Sequence, residues 1–314
     1  MSISRDSLQL MGTRIDLMID SQDSQKLLAI VSKQLEDYEK RFSANSQISE
    51  LAQLHAKAGL APYQISPDLF SLIALGKEHS LVPKSQLNIA LGPVIQSWRI
   101  GFADARLPTK QTIQKKLALC HPQDILLNTD QSSVFLRKQG MKLDLGGLAK
   151  GYISDQIVTF LKTQGVNSAM INLGGNVLVY GKNPQSPSGL WSVGIQNPQA
   201  SKRGQYLLTL PVKNLSVVTS GSYERRLIHQ GQSYHHILDP RTGYPVRSSL
   251  VSLTLISPSS LQADLWASRL FGLDKDLILT QINQQKQLEG ILIDHNNQIT
   301  FSKGLHSYVK NLSF

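Results

Sequence analysis

Three short stretches of the chain combine residue types that can do chemistry. The first is Asp144-Leu145-Gly146-Gly147-Leu148-Ala149-Lys150-Gly151. A carboxylate closes an extended segment, two glycines permit close backbone approach, and a lysine stands where a helix begins. Free N–H groups and the dipole at a helix N-terminus attract phosphate. The spacing fits neither GxGxxG nor GxxxxGK, and a tight strand-to-helix turn with a surface lysine explains it equally well. The second stretch is Asp264-Leu265-Trp266-Ala267-Ser268. Asp264 and Ser268, at i and i+4, share one helix face. A carboxylate and a hydroxyl are hard oxygen donors suited to Mg²⁺; a polar stripe on an amphipathic helix is the plainer alternative. The third runs His235-His236-Ile237-Leu238-Asp239-Pro240-Arg241-Thr242-Gly243. Asp239 to Thr242 has the composition of a type I turn. Neighbouring histidines on a strand face opposite sides, so one can enter a pocket while the other meets solvent or core. Zinc is a weaker idea, because no third ligand is near. Thr219-Ser220-Gly221-Ser222 reads as a small-residue loop that either lines the same pocket or closes a hairpin.

Hydrophobic periodicity shows what must position these groups. Apolar residues at spacings of three and four predict helices over Ser24 to Phe42, Asp68 to Leu81 and Gly151 to Gln164. Further helices are expected over Pro108 to Cys120, Ser260 to Phe271 and Leu277 to Gln284, with helix and loop mixed in Asn45 to Leu54 and Leu87 to Phe102. Ile15 to Ile19 reads as a strand. Val134 to Leu136 and Met141 to Leu145 alternate like adjacent strands around Lys138-Gln139-Gly140. Strands then dominate: Ser168 to Tyr180, Trp191 to Ile195, Tyr206 to Leu210, Ser216 to Thr219, Glu224 to His229, Tyr234 to Leu238 and Ser249 to Ser257. Two more close the chain, Gly290 to Asp294 and Gln298 to Phe301. Strands and helices intersperse without a steady βαβ rhythm, which predicts an α+β fold rather than a doubly wound sheet.

Composition narrows the class. With 314 residues, 41% of them hydrophobic and 17% charged, the chain can bury a core and is not globally disordered. Its length allows one large domain or two modest ones. Lys plus Arg outnumber Asp plus Glu by 32 to 22, giving a net charge of +10. That suits an anionic ligand, but the basic residues are dispersed and lack interleaved aromatics, so no nucleic-acid partner is expected. Cys120 is the only cysteine, so an intrachain disulfide and a CxxC pair are impossible. It reads as inert core. No stretch approaches the roughly 18 apolar residues of a membrane span. The N-terminus, Met1 to Leu8, lacks the apolar region of a signal peptide, so a cytoplasmic location is expected.

The carrying segments stand in a fixed order. They are Met11-Gly12-Thr13; Arg41-Phe42-Ser43 with Ser49-Glu50-Leu51; Leu91-Gly92-Pro93 with Trp98; Asp144 to Asp155; Asn172-Leu173-Gly174-Gly175; Thr219-Ser220-Gly221; His236 to Gly243; and Ala263-Asp264. In that order the chain resembles the ApbE family, the FAD:protein FMN transferases. The resemblance implies one α+β unit over residues 1–314, of mixed sheets with flanking helices. It implies FAD bound with Mg²⁺ at its pyrophosphate. A Thr or Ser hydroxyl of an acceptor protein attacks the FMN-side phosphorus, AMP leaves, and FMN stays on the acceptor as a phosphoester. His236 and Asp264 carry over as catalytic residues. The metal ligands fall on the Gly147 carbonyl and the side chains of Asp264 and Ser268. FAD contacts fall on Met11, Asn45, Leu87, Asn88, Ile89, Asp144, Lys150 and Leu238.

Three positions depart from the family pattern. Ser268 replaces the usual Thr and keeps the hydroxyl. Ala267 stands where some relatives have a second Asp, so one potential charge is missing. Asn45 stands where many relatives stack a tyrosine on the flavin. Many relatives are exported lipoproteins; the expectation here is a cytosolic or cytosol-facing acceptor. Two other outcomes use the same site: an FAD pyrophosphatase releasing FMN and AMP, and a non-catalytic FAD carrier. The presence of His236, Asp264 and Ser268 weighs against the carrier. A basic RNA-binding protein is a distant third reading.

Overall fold

The computed structural model describes residues 2–200, 202 and 204–305, so both ends of the expected 1–314 unit lie outside the described residues. The strands are β1 (Ser2–Leu10), β2 (Thr13–Ser21), β3 (Tyr63–Gln64), β4 (Ile125–Asn128), β5 (Ser133–Leu136), β6 (Ser168–Leu173), β7 (Asn176–Tyr180), β8 (Trp191–Gln196), β9 (Tyr206–Val212), β10 (Ser216–Gly221), β11 (Arg226–His229), β12 (Gln232–His235), β13 (Leu250–Ser257), β14 (Glu289–Asp294) and β15 (Ile299–Phe301). The helices are α1 (Ser24–Phe42), α2 (Glu50–Ala56), α3 (Pro67–Ser80), α4 (Gly92–Trp98), α5 (Lys110–Leu117), α6 (Ala149–Thr163), α7 (Ser260–Leu270) and α8 (Lys275–Asn283). Eight strands form one sheet in the order β1-β2-β6-β7-β10-β13-β14-β15. Among the described residues its pairings are antiparallel, as expected of an α+β fold without βαβ crossovers.

Side chains alternate across this sheet. From β2, Ile15, Leu17 and Ile19 pack with Leu27, Val31 and Leu35 of α1 and with Ile153 and Ile157 of α6. Leu253 and Leu255 of β13 pack the same way against Ala263, Ala267 and Leu270 of α7 and Ile278 of α8. The intervening residues Met18, Val179, Val217 and Ile293 meet Trp191, Val193 and Leu210 of the β8–β9 hairpin on the other face. Helices thus cover one face and a hairpin covers the other. A smaller cluster gathers Leu91, Val94, Trp98, Ile113, Cys120 and Leu238. Burial pushes the Cys120 thiol up to about 12, as befits inert core.

Several local expectations are corrected. β1 is an additional strand along the edge of the large sheet, mostly exposed. Ser168 to Tyr180 is two strands, β6 and β7, folded back at Gly174-Gly175. The partners of β5 are β3 and β4, not Met141 to Leu145. That last segment buries Met141, Leu143 and Leu145, but its backbone bonds go elsewhere. Leu143 N–H donates to His55 Nε2 at 2.8 Å, and Asp144 N–H to the Ile89 carbonyl at 2.8 Å. Thr219, Ser220 and Gly221 are not loop; they belong to β10, where the Thr219 and Thr254 hydroxyls meet across the strands at 2.8 Å. Tyr234 to Leu238 leaves the ladder after His235, and Leu238 makes one bridge to Pro245.

Candidate active site

The Asp144–Gly151 segment delivers α6 against α7. Gly151 N–H donates to Asp264 Oδ2 at 3.0 Å, and the Ser268 hydroxyl donates to the Gly147 carbonyl at 3.1 Å. Both glycines are required by closeness. A Cβ on Gly147 would collide with Ser268 Oγ, and one on Gly151 would stand 2.5 Å from the Ser260 carbonyl. The three expected metal donors, Gly147, Asp264 and Ser268, therefore adjoin one another. One N–H of the anticipated phosphate cradle is already taken by the Asp264 carboxylate.

The mounting of α7 is set by Asp155 on α6. Its carboxylate accepts from the Ser259 hydroxyl at 2.8 Å and from the backbone N–H groups of Ser260 (2.8 Å) and Leu261 (3.0 Å). One helix thus caps the other. Burial raises the pKa of Asp264, while Lys150 and the Gly151 N–H oppose that rise and Asp155 adds to it.

Lys150 lies close enough to bias both Asp264 and His236. The two histidines differ, although not as neighbours on one strand: β12 ends at His235, and His236 lies beyond it. His235 uses both ring nitrogens: Nε2 meets the Val246 carbonyl at 2.9 Å, and Nδ1 accepts from Ile237 N–H at 3.3 Å. His236 Nδ1 is out of solvent with no hydrogen-bond partner among the described residues. Burial, followed by the charges of Arg225, His235 and Lys150, pushes His236 down to about 4, with the Arg225 carbonyl opposing. The turn beyond His236 closes through Gly243 N–H on the Asp239 carbonyl at 2.8 Å. Trp98 Nε1 donates to the Gly243 carbonyl at 2.8 Å and so anchors that turn to α4.

The other expected FAD residues have a variety of neighbours. Leu87 packs near Gly147, Asn88 Nδ2 donates to the Cys120 carbonyl at 2.8 Å, and Ile89 is joined to Asp144. Asp144 is raised by burial, against the Gly146 N–H and the charge of Arg225. Met11 sits at φ 53° in the β1–β2 turn, its N–H donating to Glu39 Oε1 at 2.7 Å. Leu238 is buried in the small cluster beneath the turn. Asn45 stands one step out, its Oδ1 accepting from Arg99 Nη1 at 3.1 Å. An open cleft of about 350 Å³ runs past Leu87, Asn88, Cys120, His121 and Pro240. It does not include Lys150, His236 or Asp264, so convergence of charge and donors defines the centre, not that cleft. Sequence reasoning gave no role to Asp155 or Arg225; a capping carboxylate and a strand-end arginine carry no motif of their own.

An antiparallel α+β scaffold with hard oxygen donors at a helix–helix junction, a lysine at the start of one of those helices and a buried histidine within reach of its charge points to one class. The ApbE family model matches residues 11–292, and the chain belongs to the ApbE family. It is 38% identical over 296 residues to the FAD:protein FMN transferase of Klebsiella pneumoniae (strain 342), covering 94% of this chain and 90% of that protein. It is 32% identical to the FAD:protein FMN transferase of Treponema pallidum, covering 88% and 80%. In fold it matches the crystal structure of the ApbE protein of Thermotoga maritima with a TM-score of 0.88 at 22% identity, covering 98% of this chain and 99% of that one.

Proposed function

We propose that this protein is an FAD:protein FMN transferase, working as one unit over residues 1–314. The observation that supports it best is the α6–α7 junction, where Gly151 N–H meets the Asp264 carboxylate and the Ser268 hydroxyl meets the Gly147 carbonyl, with the charge of Lys150 bearing on Asp264. The Gly147 carbonyl, the Asp264 carboxylate and the Ser268 hydroxyl are all hard oxygens, and the carboxylate, whose pKa burial raises, accepts from the Gly151 N–H. This donor set fits Mg²⁺. When bound there, the ion neutralises charge on the FAD pyrophosphate.

The chain's own residues do the rest. Met11, Asn45, Leu87, Asn88, Ile89, Asp144 and Leu238 bind and orient FAD. Lys150 lies against the phosphates from the start of α6. His236, neutral near pH 7, takes the proton of the acceptor Thr or Ser hydroxyl as its oxygen bonds to the FMN-side phosphorus. The bond from that phosphorus to the bridging oxygen breaks, and AMP departs with the electron pair. Such transfer depends on positioning and charge neutralisation more than on covalent help from the enzyme.

Incubating a candidate acceptor with FAD and Mg²⁺ and weighing the products tests this reading. A mass gain of one FMN on the acceptor is expected. Free FMN with AMP would make the protein a pyrophosphatase, and unchanged FAD would make it a carrier. Among the described residues no helix is long and apolar enough to cross a membrane; the cytoplasmic location stays a proposal, checked by fractionating cells.

A further inference from the structure

Arg225 lies outside the motifs that carry the family resemblance, yet it ties the site together. Its Nη2 donates to the Gly12 carbonyl at 2.9 Å, across 213 residues of sequence. Its own carbonyl accepts from His236 N–H at 3.2 Å. Its charge bears on both Asp144 and His236. The side chain passes Gly101, where a Cβ would stand 2.7 Å from Arg225 Cδ, so the channel it occupies exists because residue 101 has no side chain. Arginine offers five N–H donors in a planar fork, and the bond to Gly12 uses one.

Arg225 is thus tied to His236 through the backbone, and its charge and that of Lys150 both bear on the imidazole, as they do on the Asp144 and Asp264 carboxylates respectively. Among the described residues, the donors that Arg225 does not spend on Gly12 are free to meet an anion. A guanidinium fork matches phosphate oxygens with two parallel hydrogen bonds. We propose that Arg225 binds a non-bridging oxygen of the FMN-side phosphate of FAD, from the side of the site formed by the Met11–Gly12 turn. Lys150 approaches from α6, so the phosphate lies between two positive groups with His236 next to the phosphorus. This rests on the transferase reading and adds to it a phosphate-binding residue.

The test compares wild type, Arg225→Gln, Arg225→Lys and Arg226→Ala. Arg226 is a control of equal charge change, its Nε donating to the Ser222 carbonyl at 3.0 Å. Flavin fluorescence measures affinity for FAD and for riboflavin, which has no phosphate. Acceptor mass measures transfer, and a thermal midpoint reports folding. Arg225→Gln should weaken FAD about 10- to 100-fold, the usual range for losing a charge-assisted hydrogen bond, with little change for riboflavin. Arg225→Lys should fall between, since lysine restores charge without the fork, and Arg226→Ala should match wild type. Equal losses for FAD and riboflavin with a lowered midpoint would reduce Arg225 to an anchor for the Gly12 turn and overturn the proposal. Unchanged FAD affinity and transfer in both Arg225 variants would overturn it too. If wild type transfers nothing but Arg225→Gln still loses FAD selectively, the transferase reading fails and the phosphate assignment stands.

Discussion

At the residue scale, the two adjacent histidines make the sharpest contrast. Both nitrogens of His235 are engaged in holding the chain near Val246 and Ile237. His236 Nδ1 is buried without a partner among the described residues, and the charges of Arg225 and Lys150 bear on the ring. His236→Ala should lower transfer at saturating FAD by roughly 10²–10⁴-fold, the usual worth of positioned proton transfer, while His235→Ala costs much less. Equal, mild losses would remove His236 from proton transfer. A base pushed down to about 4 stays neutral well below the ordinary 6.5. The rate should therefore hold as pH falls through 6 and drop only as His236 protonates near 4, which a profile of kcat/KM against pH measures. Asp264→Asn keeps an oxygen for the Gly151 N–H but loses the charge. It should depress turnover more than FAD affinity, with partial rescue by raised Mg²⁺; full rates in excess chelator would remove the metal from the reaction. The side chains proposed for this centre come from the order of the segments that resemble the family, since each stretch alone reads equally well as a tight turn or a polar stripe. Arg225 was not legible, since one arginine among 32 basic residues has no signature until its neighbours are known.

At the scale of elements, legibility followed how each one buries its apolar face. α1 could be read from Leu27, Leu28, Val31 and Leu35, which are buried at helical spacing. β1 is not legible because polar residues stand on both of its sides, so its sequence lacks an apolar alternation even though its exposure alternates along the strand. The Met141–Leu145 segment alternates like a strand, and its odd residues are buried as in a strand, yet a histidine ring and the Ile89 carbonyl replace the ladder. That replacement has a pH signature. Burial, with a contribution from Lys142, pushes His55 down to about 3. The unfolded chain binds a proton near 6.5 while the folded chain resists it. Stability is complete above about 6.5 and declines as pH falls toward 3, by on the order of a few kcal/mol. Urea unfolding at pH 7 and pH 4.5 should show the loss, and His55→Gln, which keeps an acceptor for the Leu143 N–H, should flatten it. Asp155 acts at the same scale. Asp155→Ala removes three bonds at the start of α7 and should cost about 1–3 kcal/mol in thermal or urea unfolding. It should also weaken the metal dependence of transfer, because Asp264 and Ser268 ride on that helix.

At the scale of the molecule, the antiparallel sheet was legible as a class but not as an order. Alternation gave strands, whereas the neighbours β2-β6 and β7-β10 are set by packing between distant segments. The proposed ligand contacts run from Met11 to Ser268 and draw on both halves of that sheet's helical cover. FAD with Mg²⁺ should therefore protect α6, α7 and the β1–β2 turn together against hydrogen exchange. At a hundredfold excess over Kd it should raise global stability by about 2.7 kcal/mol. Protection confined to one of these segments would mean that the site is not shared among them.

The contacts that build the centre join residues far apart along the chain: Gly151 with Asp264 across 113 positions, Gly147 with Ser268 across 121, and Gly12 with Arg225 across 213. Long loops must close before such contacts form. A chain that ends before residue 268 lacks the Ser268 hydroxyl that meets the Gly147 carbonyl. If the proposed site is right, catalytic competence therefore arrives only when the last segments have folded onto the first.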